Sequence, residues 1–196
     1  MEKELPNYFD IFMEQFPTMG TEAKNFTRSI LSLKKYSKKE LLYQSGEIQK
    51  DIAYVCQGLV RKYYINEKGN KISVGFSSEL QYATDYPSFI KQTPSKYYLE
   101  CIEPTIIISM PYTKLQEAYD NFKDSEMYGR LVAEYVLTRE TDRIEGFLFE
   151  TAEERYLNFV ANNKKLLNRI SLSHLASFLG IERQSLSRIR SKLAKR

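Results

Sequence analysis

A change of hydrophobic period near Tyr112 constrains this chain more than any other feature. All six prolines lie at or before Pro111, and five of the eight glycines lie at or before Gly75. The first 111 residues are therefore rich in turns, and the remaining 85 read as helical. In the first part, Ile72, Val74 and Phe76 alternate with Lys71, Ser73 and Gly75, the pattern of a half-buried strand. LVRKYYI (59–65) is a second strand, and Asn66-Glu67-Lys68-Gly69-Asn70 between the two is a hairpin loop. YYLECI (97–102) and TIIISM (105–110) add two more, broken at Glu103-Pro104. Short strands at this spacing predict an antiparallel roll or barrel. Ahead of them, Tyr8, Phe9, Phe12 and Phe16 stand at helix spacing.

Beyond Tyr112 the apolar residues follow the helical repeat. Tyr128, Leu131, Val132, Tyr135 and Val136 fill the i, i+3, i+4, i+7, i+8 template, with polar interruptions at Arg139 and Arg143 before Phe147, Leu148 and Phe149. A helix of about 25 residues is long for such a domain. It needs cover for a second apolar face, and a symmetric homodimer supplies it. The alternative is a helix packed wholly on its own roll. Thr151-Ala152-Glu153-Glu154 then reads as a capping box, opening a helix whose apolar side is Tyr156, Leu157, Phe159 and Val160.

The net charge of +4 is unevenly spread. From Lys164 to Arg196, nine basic residues stand against one acid, Glu182, so this segment carries +8 and residues 1–163 carry −4. Within it lies RISLSHLASFLGIERQSLSRIRSKL (169–193). Ser171 is a natural N-cap, and Leu172, Leu175, Ala176 and Leu179 form the stripe of a short helix. Gly180 sits where a left-handed turn residue is needed, and a second helix (182–195) turns Leu186, Ile189 and Leu193 inward. Its opposite face carries Gln184, Ser187, Arg188 and Ser191, with Arg183 at the start. This is a helix-turn-helix pattern.

Arginine bonds bidentately to guanine and glutamine to adenine in the major groove, so Arg183, Gln184 and Arg188 are candidate base readers. Ser171, Ser173 and Ser187 can donate to phosphates or bases, and Arg190, Lys192, Lys195 and Arg196 supply phosphate attraction. An ordinary helical hairpin with a charged solvent face is the competing reading. His174, one residue before Leu175, is expected at the surface or near phosphate.

Composition removes several functions. One histidine and two cysteines, Cys56 and Cys101, fall short of a four-ligand zinc site, and no histidine lies in residues 1–163 to build a metal-dependent roll enzyme. A catalytic role for His174 lacks a supporting carboxylate motif, so the chain reads as a non-enzyme without a resident cofactor. The start has no signal-type apolar run and no stretch approaches membrane-spanning length, which predicts a cytoplasmic protein with two unpaired thiols and no membrane partner.

With these residues in view, the sequence resembles the Crp/Fnr-type transcriptional regulators over nearly its whole length. Leu42, Gly46, Tyr54, Val55 and Gly58, within LLYQSGEIQKDIAYVCQGLVRKYY (41–64), resemble the opening of the cyclic-nucleotide-binding β-roll. The segment from Glu79-Leu80 through PSKYYLECIEPTIIIS is similar to the phosphate-binding cassette and the strands after it. LASFLGIERQSLSRIR resembles the family's helix-turn-helix closely, and Arg183, Gln184 and Arg188 fall on its base-contacting positions.

The resemblance implies an α+β fold: a cyclic-nucleotide-binding-like jelly roll over 1–123, a dimerisation helix over 124–149, and a helix-turn-helix domain over 150–196. It implies double-stranded DNA, a second copy and RNA polymerase as partners, with a small-molecule effector in the roll. The effector set it points to is Glu79, Leu80, Ser95 and Lys96, with Thr138 and Thr141 on the long helix.

Departures from the family pattern narrow the effector. The cassette's Arg-Ser pair is replaced by Ser95-Lys96, or by Pro94-Ser95 with a one-residue shift, and Ser78 stands where glycine is usual. Lysine lacks the bidentate fork of arginine, so cAMP sensing loses support. No N-terminal cysteine cluster and no sensor-half histidine are present for iron–sulfur or haem sensing. Gln184 replaces a glutamate of the best-known activator, so the operator preference should differ there. A separate possibility is a ligand-binding module whose C-terminal helices dock a protein instead of DNA, which would require apolar anchors on the Arg183/Gln184/Arg188 face.

Overall fold

A computed structural model describes residues 7–194. The chain opens with two short helices, α1 (Tyr8–Met13) and α2 (Thr21–Ser29). Eight strands follow: β1 (Ser32–Tyr36), β2 (Leu41–Tyr43), β3 (Asp51–Gln57), β4 (Val60–Ile65), β5 (Lys71–Ser77), β6 (Tyr82–Ala83), β7 (Tyr98–Cys101) and β8 (Thr105–Pro111), with helix α3 (Tyr86–Lys91) between β6 and β7. They form two antiparallel sheets, ordered β1-β8-β3-β6 and β2-β7-β4-β5. The jelly-roll expectation and the predicted strands agree with this within a residue or two.

Val55, Val60, Leu99, Cys101 and Ile107 fill the space between the sheets. The aromatic α1 packs its Tyr8 and Phe12 onto Tyr54 and Ile108 on the outer side of the first sheet. Gly58, between β3 and β4, has φ +101°, and a Cβ there would lie 2.5 Å from Thr105 Oγ1 and 2.6 Å from the Pro104 carbonyl oxygen. Only glycine meets both the left-handed backbone and the close approach.

The helical part comprises α4 (Tyr112–Asn121), α5 (Lys123–Phe149), α6 (Ala152–Asn162), a 3-10 turn (Lys164–Leu166), α7 (Leu172–Phe178) and α8 (Arg183–Leu193). The capping box at α6 is complete, with Thr151 accepting from Glu154 N–H and Glu154 from Thr151 N–H. Glu150 and Thr151 are extended, which separates α5 from α6 by a two-residue joint. Leu157, read as part of the α6 apolar side, is in fact 43% exposed, while Phe159 on the same helix is buried.

Phe159, Leu166, Ile170, Leu175, Leu179 and Leu186 form the core of the C-terminal helices, and Leu59 and Phe76 of the roll belong to the same cluster. The helix-turn-helix therefore packs on its own roll. Its contact is β5, which corrects the reading of that strand: Ser73, expected on a solvated face, is fully buried because α7 covers it. Ser73 N–H donates to Ser177 Oγ at 3.1 Å, and the two hydroxyls lie 2.8 Å apart.

Candidate nucleic-acid interface and junction cavity

Ser171 caps α7 by accepting from His174 N–H at 3.2 Å. Leu175 and Ala176 turn inward from α7 and Leu179 follows them, after which Gly180 reverses the chain at φ +70°. A Cβ at Gly180 would come within 2.6 Å of the Phe147 ring, so glycine both makes the turn and admits the end of α5. Leu186, completely buried, anchors α8 from the inside. The outer face of α8 exposes Arg183, Gln184, Ser187, Arg188 and Ser191, with Arg188 donating to Ser185 Oγ, while Arg190 is exposed on the side toward α6. Ser173 is also exposed, one turn away on α7. A shallow concavity is lined by Gln184, Ser187, Arg188, Ser191 and Lys192.

Two of the basic residues counted toward this surface have protein partners instead. Lys192 Nζ lies 2.6 Å from Glu153 Oε2. Arg169 turns toward the roll, where its guanidinium donates to Glu79 at 2.8 and 2.9 Å and to Glu103 at 2.5 Å. Hydrogen bonds to both carboxylates hold the guanidinium firmly protonated. Burial pushes the Glu79 carboxyl up, but Arg169 and the Gly58 N–H outweigh it and hold it below the usual range. Lys195 and Arg196 lie outside the described residues.

His174, expected at the surface, is half-buried and turned toward the roll. Its Nε2 lies 3.1 Å from Arg61 Nη1 on β4, and burial, together with the Arg61 and Lys71 charges, lowers its pKa to about 4. Arg61 is itself buried, donating to Ser73 Oγ at 2.8 Å and to the Lys71 carbonyl at 3.1 Å. A neutral imidazole is the form this site accepts.

A cavity of about 390 Å³ opens where the roll, α5 and the C-terminal helices meet. Val60, Leu99 and Phe76 form its apolar side, and Lys62, Arg139, Glu140, Asp142 and Arg143 its charged one. Lys62 pairs with Glu140 at 3.0 Å, Arg139 donates to the Phe76 carbonyl, and Arg143 donates to the Phe178 carbonyl while lying over the Phe178 ring.

The effector residues expected from the cassette do not reach this cavity. Glu79 is bound to Arg169, Leu80 is 62% exposed with φ +66°, Ser95 is buried against Asp85 at 2.7 Å, and Lys96 is exposed. Thr138 bonds back to the Glu134 carbonyl, and it and Thr141 face solvent. Glu79 of this set is thus already paired with Arg169, and the cation the set itself offers is Lys96, which lacks the bidentate fork of arginine. Arg139 and Arg143 were legible only as polar breaks in an apolar stripe. Their spacing of four places both on the cavity side of α5.

Among the described residues, no group of three histidine, cysteine or acidic side chains is arranged to hold a metal, and no helix is long and apolar enough to cross a membrane. Burial pushes the Cys56 and Cys101 thiols up to about 11, so both are poor nucleophiles.

Residues 33–122 match the cyclic nucleotide-binding domain family. No curated protein matches the chain. Among solved structures, FixK2 from Bradyrhizobium japonicum superposes with a TM-score of 0.75 at 18% identity, covering 85% of each chain. A transcriptional regulator assigned to the crp/fnr family from Eubacterium rectale gives 0.70 at 15%, covering 96% of this chain and 88% of that one. The c-di-GMP responsive global regulator CLP of Xanthomonas campestris gives 0.68 at 15%, covering 90% and 92%. Residues 33–122 thus match the cyclic nucleotide-binding domain family, and the chain shares the fold of FixK2 and of the crp/fnr-family regulator.

Proposed function

We propose that the protein is a non-enzymatic, DNA-binding transcription regulator that acts as a homodimer. The roll (1–123) is its effector domain, 124–149 its dimerisation helix and 150–196 its reading head. The observation that carries this is the outer face of α8, where Arg183, Gln184, Ser187 and Arg188 are exposed together on a helix held from behind by Leu186. A helix that docks a protein needs apolar anchors on that face, and α8 has none there. Two such helices related by a dyad would enter successive major grooves about 34 Å apart.

Leu137, Ile144 and Leu148 support the dyad. They are 68%, 60% and 70% exposed, and spacings of seven and four place them on one seam of α5. The extended Glu150-Thr151 joint is where the reading head can be re-aimed. An effector in the junction cavity would touch the roll, α5 and Phe178 at once, and shifts the arrangement only if it binds two placements with different affinity. Arg139 and Arg143 favour a small anionic effector other than cAMP. RNA polymerase is a further partner this reading carries with it.

Selection of bound duplexes from a random pool, followed by gel shift, tests the function. A pseudo-palindrome with half-sites one helical turn apart is the expected outcome. Recovery of no preferred sequence by the dimer would overturn the assignment of α8 as a recognition helix.

A further inference from the structure

Side chains bridge the two-residue joint between α5 and α6. Glu150 is tied to the head side of that joint: its carbonyl accepts from Arg155 Nη1 at 2.6 Å, and its carboxylate from Asn158 Nδ2 at 2.6 Å. From the α5 side, Arg143 reaches across and donates to the Phe178 carbonyl at 3.2 Å. Its guanidinium carbon lies 4.4 Å from the centre of the Phe178 ring and 4.9 Å from that of Phe147. Arg155 approaches the same Phe147 ring at 4.8 Å and donates to the Leu179 carbonyl at 3.1 Å.

The acceptors sit at a sensitive place. Phe178 is the last residue of α7 and Leu179 its C-cap, where backbone carbonyls have no partner within the helix. The turn that follows uses other acceptors, with Gly180 N–H donating to the Ser177 carbonyl and Ile181 N–H to the Ala176 carbonyl. The Phe178 and Leu179 carbonyls thus take their donors from outside the helix-turn-helix, one arginine from each side of the joint. A guanidinium held over aromatic rings as well as bonded to a carbonyl is directionally constrained. Arg143 also stands one residue before Ile144, on the turn of α5 that carries the exposed apolar seam. It is four residues before Phe147, whose ring occupies the space Gly180 leaves open. A packed path therefore runs from the seam to the turn that aims α8.

We propose that Arg143 is a positioning residue for DNA reading: its grip on the Phe178 carbonyl fixes the angle between α5 and α8, and so sets the half-site spacing a dimer accepts. The consequence for spacing rests on the dimeric, DNA-binding reading above, whereas the angle within one chain does not. Without the guanidinium, the extended joint leaves each head free to turn, and several spacings become acceptable.

Two measurements on the full chain test this. Arg143→Met keeps the length and packing of the side chain but loses its donor and charge, and Arg143→Lys keeps both. The first measurement is double electron–electron resonance between spin labels on Thr141→Cys of α5 and Ser191→Cys of α8, both exposed positions. Cys56→Ala removes the one half-buried native thiol, Cys101 is fully buried, and dilution with unlabelled chain isolates distances within one chain. A single narrow distance is expected with Arg143 or Arg143→Lys, and a distribution at least twice as wide with Arg143→Met. The second is a gel shift on the selected operator with its half-sites moved apart by two base pairs, about 7 Å and about 70° along the duplex. The parent and Arg143→Lys should lose about tenfold in affinity and Arg143→Met less than about threefold, while all three bind a single half-site equally. A narrow distance in Arg143→Met, a wide one in Arg143→Lys, or a spacing penalty in Arg143→Met equal to the parent's would each overturn the proposal. Loss of half-site binding in Arg143→Met would overturn it too, since Arg143 would then hold the head together and not aim it. Should the parent select no duplex, the regulatory reading fails, and the label distances still decide whether Arg143 sets the angle.

Discussion

Arg169 grips Glu79 with two guanidinium nitrogens, at 2.9 and 2.8 Å, across ninety residues of sequence. Glu79 lies in the turn after β5 and also accepts from the Gly58 N–H at 2.8 Å, so one carboxylate joins the β3–β4 turn to the C-terminal helices. Of the residues that the family resemblance marks for a small ligand, Glu79 is held here by the protein's own arginine.

Removing that grip should loosen the reading head from the roll. Charge-assisted hydrogen bonds contribute more than ordinary ones, but Glu79 keeps 39% of its side-chain exposure, which places the loss at about 1–2 kcal/mol. Hydrogen exchange checks this. In Arg169→Ala, amides of α7 and the Ser73 N–H should exchange faster, while those of β3 and β8 should not change. Equal protection in the two proteins would mean that the apolar cluster around Leu59 and Phe76 holds the head alone.

His174 should make the same contact sensitive to acid. Its pKa is lowered from 6.5 to about 4 when it lies against Arg61. The docked head therefore prefers the neutral ring, and its stabilisation is complete above pH 6.5. As the pH falls from 6.5 toward 4, an undocked His174 takes up a proton that the docked one refuses, and docking weakens across that window. Glu79, held below its usual range, adds a further loss at the acid end in the same direction. Protection of α7 amides should fall over this interval in the parent and fall much less in His174→Phe. An imidazole titrating near 6.5 in the intact protein would show that the ring is not docked in solution.

The local pattern carried most of the fold and little of this interface. Strand alternation located β4, β5, β7 and β8, and Gly180 between two apolar stripes located the turn, because each depends on residues within one turn or one pleat of each other. Periodicity says which side of a segment is apolar but not what its polar side meets. Ser73 and His174 both fall on polar faces, yet Ser73 is buried under α7 and the half-buried His174 meets Arg61 of β4. Charge counting failed at Arg169 for the same reason: an ion pair with Glu79 and Glu103 is a tertiary fact, invisible in a segment whose own acid is Glu182 alone. The joint use of Arg139 and Arg143 was equally hidden, since helical spacing puts them on one side without saying that a cavity lies there.

The seam of Leu137, Ile144 and Leu148 predicts a specific loss of assembly. Placing charge on two of these positions, as in Leu137→Glu/Ile144→Glu, would bury unpaired carboxylates in a dimer but cost almost nothing in a monomer, where the side chains are already more than half exposed. Sedimentation should show the parent as a dimer and the variant as a folded monomer with an unchanged melting profile for the roll. Half-site spacing then loses its meaning, so affinity for a selected palindrome should fall at least tenfold. A variant that remains dimeric would move the interface off this face of α5.

Arg188 and Arg190 separate reading from holding on the same helix. Arg188 sits with Gln184 and Ser187 on the concave outer side of α8, whereas Arg190 lies beside Tyr156 and Leu157 at the groove between α6 and α8. A side chain that bonds a base edge distinguishes sequences, so Arg188→Ala should cost about 1–3 kcal/mol on the selected operator and relax the preference at one base pair per half-site. A side chain that bonds only phosphate weakens all duplexes alike, so Arg190→Ala should lower affinity about equally for operator and random DNA and reduce the salt slope by about one. Lys192 should behave like Arg190 but more weakly, because its ammonium must first leave Glu153. Gel shifts of the variants on operator and scrambled duplexes, at several salt concentrations, distinguish the two roles. An Arg188→Ala profile that drops uniformly while Arg190→Ala changes sequence preference would reverse the assignment and turn α8 in the groove by the angle between these two side chains.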